Sequence, residues 1–146
     1  MVKFTKKEIA YYDKEPDLIP KRSLQIQLTN TEARTLCRAI AKKYNLELTT
    51  VSFRLWEQYI HGKDKGYSEA MYNHLSLEPH PFMSIVCHEM AHIYQRQKTG
   101  TSDHNKELLK ITQKIIRFAL AWANKRKLKY VEEEKRIFKK HGWKIS

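Results

Sequence analysis

An α+β fold is predicted by three features of the sequence. Thr29 opens a stretch in which Ala33, Leu36, Cys37, Ile40, Ala41 and Tyr44 recur at helical spacing. Leu48 to Trp56 alternates apolar and polar residues, as a strand with one buried face does. Two further helical patterns follow Pro81. The expected order is therefore an N-terminal helix, a small three-stranded sheet, a central helix and a following long helix.

Taken in order, residues 1–28 carry basic clusters (Lys6-Lys7, Lys21-Arg22) and two prolines, Pro16 and Pro20, and read as an irregular or partly extended lead-in. Thr29-x-x-Glu32 has the form of a capping box, which starts a helix over about 30–45. In LTTVSFRLW, Val51, Phe53 and Leu55 alternate with Thr50, Ser52 and Arg54, and the β-branched and aromatic content favours a strand. Gly62 and Gly66 bracket a charged turn, Tyr67 to Tyr72 and His74 to Leu77 supply two more short strands, and Pro79 and Pro81 end the sheet region. Pro81 suits the first turn of a helix running to about Lys98, with Gly100 as its C-cap. Beyond it, Ser102 or Asp103 can cap a long helix on which His104, Leu108, Ile111, Ile115, Phe118 and Trp122 form one continuous stripe.

At 146 residues the chain fits one domain, 1–146, with a core over about 30–124 and a basic, helical C-terminal tail over 125–146. Hydrophobic residues make up 41% and charged residues 30%, which excludes a disordered chain. No apolar run approaches the length of a bilayer span, and the first residues lack the hydrophobic middle of a signal peptide. A cytoplasmic monomer without a membrane partner is expected. Cys37 and Cys87 are far apart in apolar helical patterns, which suits buried free thiols rather than a disulfide, and neither belongs to a C-x-x-C pair. The formal charge of +12 points to a polyanionic partner, nucleic acid first; the competing explanation is solubility alone.

The chemistry is concentrated in HEMAH, residues 88–92. Residues four apart on a helix share a face, so His88 and His92 can aim two imidazole nitrogens at one point about 2 Å away. Glu89 is rotated by about 100° from His88, which removes it as a ligand to the same ion but leaves it able to act as base on a water there. Coincidence is the competing explanation for five residues. Against it stand the predicted helix, the preceding strands and the flanking Ile85, Val86, Met90 and Ile93, which would bury the back of the motif.

A catalytic zinc needs a third protein ligand and an open fourth position. The metzincin pattern is excluded, because Lys98 stands six residues beyond His92 and the glycine of that motif is missing. A downstream glutamate, Glu107 or one of Glu132, Glu133 and Glu134, is one alternative. His104 is better placed, since it opens the second helix on its inward stripe; a helix-capping or surface histidine is the plain alternative for it.

With helix, strands, HExxH helix and third-histidine helix in this order, the chain resembles the SprT-like metalloprotease domain, also found in the Spartan proteases. YNHLSLEPHPFMSIVCHEMAHIYQ and DHNKELL carry the resemblance, which spans about residues 30–120. It implies a compact zincin-like domain with one Zn2+ per chain held by His88, His92 and His104, Glu89 as catalytic base, and Leu108 packing after the third histidine. It further implies a zinc-dependent endopeptidase that acts on DNA-bound or DNA-crosslinked proteins. Asn105 stands where the family usually has glycine, and Asn is the residue that next best tolerates unusual backbone angles. The cysteine-based zinc ribbon of many relatives is missing from this chain. DNA contacts would then come from basic surface, with Lys125, Arg126, Lys127 and Lys129 the candidates, or from the N-terminal clusters.

Other residues carry less. His61, His74, His80 and His141 fall in turns, strand ends or the tail; His74, His80, Tyr67, Tyr72 and Tyr94 are open candidates for stabilising an oxyanion. Trp56 and Trp122 read as core, whereas Trp143 stands in a basic GWK end. A competing function is a non-catalytic nucleic-acid binder or regulator that keeps a zincin fold with structural zinc; a weaker one is a zinc hydrolase for a small or cell-wall substrate.

Overall fold

A computed structural model of the chain describes residues 18–53, 68–100 and 104–126. Their elements are α1 (Lys21–Gln25), α2 (Asn30–Lys43), β1 (Thr50–Phe53), β2 (Glu69–Ala70), β3 (His74–Leu77), α3 (Met83–Thr99) and α4 (Lys106–Lys125). Helices and a small mixed sheet agree with the α+β expectation.

Local chemistry sets both ends of α2. The Thr29 hydroxyl accepts from Glu32 N–H at 3.1 Å while Thr29 N–H donates to the Glu32 carboxylate at 2.9 Å, the reciprocal pair read from the sequence. At the other end Asn45 takes the left-handed conformation (φ 54°), Asn45 N–H donates to Lys42 O and Leu46 N–H donates to Ala41 O. Those two bonds form a Schellman stop, and Leu46 packs into the core behind it. The helix buries Ala33, Leu36, Cys37, Ile40 and Ala41, the positions given by its periodicity. Burial pushes the Cys37 thiol up to about 12, partly offset by Arg38 and Arg34.

The strands associate in the order β1-β3-β2. β1 runs parallel to β3, with Thr50 opposite His74 and Phe53 opposite Leu77, and β2 runs antiparallel to β3, with Ala70 opposite Leu75. Leu75 and Leu77 are fully buried while His74 and Ser76 are half-buried, so the sheet turns one apolar face to the helices. Both β1 and β2 are shorter than expected; residues 54–56 and 67 lie outside the described region.

The lead-in differs from the expectation. Residues 21–25 form a helical turn, and the chain after it is pinned to the start of α3: Leu28 N–H donates to Pro81 O at 2.9 Å and Met83 N–H to Ile26 O at 2.8 Å. Ile26 and Leu28 are fully buried between these bonds. Gln27 extends the seam, its amide donating to His80 O at 2.9 Å, and Asn30 accepts from His80 N–H at 2.9 Å. His80 needs that support, because its left-handed backbone (φ 47°) is costly for a residue with a Cβ. α3 therefore starts at Met83, with Phe82 at its N-cap, and Pro81 lies just outside the first turn where it was expected. Its far end follows the sequence: Gly100 is left-handed at φ 78° and donates to Arg96 O.

α3 lies at the centre, packed most extensively against α4 and also against α1, α2 and the sheet side. From Val86 to Ile93 every residue is buried, so the HEMAH segment is enclosed rather than displayed on a surface face. α4 buries Leu108, Ile111, Ile115, Ile116, Ala119 and Trp122, while Phe118 is only partly buried. No helix among the described residues is long and apolar enough to cross a membrane.

Candidate metal centre

His88 and His92 lie one turn apart on α3 and are 6% and 7% exposed. A core helix carrying two imidazoles and a carboxylate, Glu89 at 6%, would be costly unless those groups were compensated. The two imidazoles meet a third. His92 Nε2 lies 3.2 Å from His88 Nε2 and 3.2 Å from His104 Nε2, and ligand atoms of the three residues all lie within 4.8 Å of one another.

The ring arrangement suits a shared cation. The His92 ring is steeply inclined to both neighbours, 78° to His88 and 71° to His104, while the His88 and His104 rings lie nearly parallel at 26°, and the Nε2 atoms of His88 and His104 both approach that of His92. Two nitrogens bound at about 2.0–2.1 Å to one tetrahedral ion stand about 3.4 Å apart, close to the two measured separations. Hydrogen bonding alone is a poorer account, since one ring nitrogen offers a single lone pair or a single N–H and meets two neighbours at equal distance. Burial foremost, then the cationic forms of His88 and His104 and the charge of Arg96, hold the His92 imidazole down at about 2. Neutral imidazole is the metal-ligating form. By donor type and separation, the three histidines could hold a metal ion.

Glu89 stands beside the cluster and outside it. Its Oε1 is 3.9 Å from His88 Nε2, within reach of a small molecule held at the convergence point. Of the glutamates weighed as a third ligand, Glu107 is exposed on α4 and does not join the cluster; Glu132, Glu133 and Glu134 lie outside the described residues.

His104 joins the site, but not as the first residue of a helix. It precedes Asn105, whose side chain caps α4 by accepting from Leu108 N–H at 3.0 Å, so the helix begins at Lys106. Asn105 does the capping expected of Ser102 or Asp103, which lie outside the described residues. Its backbone is extended (φ −133°, ψ −176°), so asparagine is used here for its side-chain acceptor and not for tolerance of a left-handed angle. The same Asn105 oxygen accepts from the Gln95 amide at 3.3 Å, and Gln95 is fully buried. Neither contact was anticipated. A findable signal existed, because Gln95 lies seven residues after His88 and three after His92, on the ligand face of α3, where a polar side chain needs a partner.

The remaining candidates scatter. Tyr94 is engaged with Lys114, whose ammonium lies 3.3 Å from its hydroxyl, and Tyr72 is exposed. His74 is half-buried at the start of β3, and His80 is held in the seam described above. Trp122 is core, as expected. Lys125 is exposed at the end of α4, and Arg126 stacks its guanidinium 4.5 Å over the Trp122 ring. Tyr67, Trp56, Trp143, His61, His141, Lys127 and Lys129 lie outside the described residues. Compared with protein-family models, curated proteins and solved structures, the chain matches none.

Proposed function

We propose that the chain is a zinc-dependent endopeptidase of the SprT-like type, with a zincin-like fold, acting on DNA-bound or DNA-crosslinked proteins. The observation that carries the reading is the convergence of His88, His92 and His104 nitrogens, two of the three separations being 3.2 Å, with the Glu89 carboxylate beside them. In it His88, His92 and His104 hold the ion. Zinc held there would supply Lewis acidity to a water and to a peptide carbonyl.

Glu89 accepts the proton of the attacking water and delivers it to the departing amide nitrogen, so one carboxylate serves as base and then as acid. Burial of every residue from Val86 to Ile93 restricts the side chains of the motif, which supports a defined Glu89 position. For the DNA-directed part, support comes from charge: +12 over the chain, with Lys106, Lys110, Lys114 and Arg117 recurring along the exposed face of α4 and Arg38 and Lys42 on α2. Glu89→Gln tests the chemistry. The variant retains its zinc and loses cleavage of a DNA-binding protein substrate by about 10²–10⁴-fold; undiminished cleavage rejects Glu89 as the base. Full zinc retention with no cleavage by the wild-type chain either favours the structural-zinc alternative.

A further inference from the structure

His88 and His92 are positioned by one helix, but His104 must be brought to them by a different segment, and its placement has a visible device. Asn105 Oδ1 accepts two hydrogen bonds, from Leu108 N–H at 3.0 Å and from the Gln95 amide at 3.3 Å. The first defines where α4 begins; the second ties that beginning to α3, three residues beyond His92. His104 is the residue next to this shared acceptor, and its Nε2 lies 3.2 Å from His92 Nε2.

We infer that Gln95 and Asn105 are positioning residues for the third metal ligand, and that their hydrogen bond sets the divalent-metal affinity of the centre. The inference rests on the proposed metal centre and adds a pair of residues that touch no ion. Physically, a third ligand adds affinity in proportion to how little freedom it loses on binding. A His104 held in place by its neighbour's tie to α3 has lost that freedom before the ion arrives. Gln95 is fully buried, so its amide is held in the packed interior and the hydrogen bond to Asn105 is shielded from competing water. The plainer alternative is that the pair only caps and packs, and affects stability alone.

Competition for Zn2+ with a chromophoric chelator, on the full chain, separates the two. Gln95→Met removes the donor at nearly constant volume, and Asn105→Ser keeps a capping oxygen too short to reach Gln95. Each is expected to weaken Zn2+ binding about 10- to 100-fold, and Asn105→Asp, which retains the acceptor, to restore it. In a His104→Ala background Gln95→Met has no further effect, because its action passes through the ring that is gone. Bound Co2+ gives a second reading: its visible absorption weakens in Gln95→Met as a loosened third ligand yields to water.

Unchanged affinity in both variants overturns the inference, as does a Gln95→Met loss that persists undiminished without His104. Should Gln95→Met fail to fold, Asn105→Ser decides alone, since Asn105 is only half-buried. A wild-type chain that binds no Zn2+ overturns the metal centre and this pair together, whereas wild-type binding with insensitive variants overturns the pair only.

Discussion

Single residues divide into those whose role follows from local spacing and those whose role is set by a distant partner. His88 and His92 belong to the first group: a separation of four on a helix is enough to bring their nitrogens to 3.2 Å. Thr29 and Glu32 are another such pair, legible because a capping box closes within one turn. Gln95 and Asn105 belong to the second group, since the place of Gln95 on the ligand face signals only that it needs a partner, not that the partner is Asn105 ahead of α4. His104 falls between them. Its membership of the site could be read from its place near a buried stripe, but its position ahead of the helix could not, because Ser102, Asp103 and Asn105 are all competent caps and only tertiary packing selects one. Cys37 offers a test at this scale. Its thiol is fully buried and raised to about 12, so it carries almost no thiolate at neutral or mildly alkaline pH. A disulfide-exchange reagent at about pH 8 is expected to label Cys37 only at the rate of unfolding; immediate labelling of the folded chain would contradict its placement against the core.

Among the elements, α2 and α4 were legible because each carries a sustained 3.6 period, and α3 and β3 because prolines and the Gly100 cap mark their edges. The segment from Ile26 to Leu28 was not, since three residues are too few to show a period, and its backbone pairs with Pro81 and Met83 more than fifty positions away. That seam nevertheless fixes the entry to α3 and supports the strained backbone of His80. Leu28, fully buried in it, is therefore expected to behave as a core residue. Leu28→Ala should destabilise the chain by about 2–5 kcal/mol, measured by denaturant unfolding; a loss under about 0.5 kcal/mol, the range of surface changes, would show that the seam is peripheral.

For the whole molecule, charge and burial pull in different directions. The interior of α3 holds His88 and His92 converging with His104, with Glu89 beside them, whereas the exterior, among the described residues, shows Lys106, Lys110, Lys114 and Arg117 along α4 in a chain whose formal charge is +12. If that exterior meets nucleic acid, affinity for duplex DNA should fall about a hundredfold between 50 and 200 mM salt when about four phosphates are contacted, and binding that is absent or indifferent to salt would remove the DNA-directed part of the proposed function. The proteolytic part depends on the centre itself. Metal content of the purified chain, read together with X-ray absorption at the zinc edge, addresses it most directly. One zinc per chain, with three imidazole nitrogens in its coordination shell and the third lost in His104→Ala, is the predicted result; a chain that holds no stoichiometric metal, or a zinc whose shell is unchanged by that substitution, would contradict it.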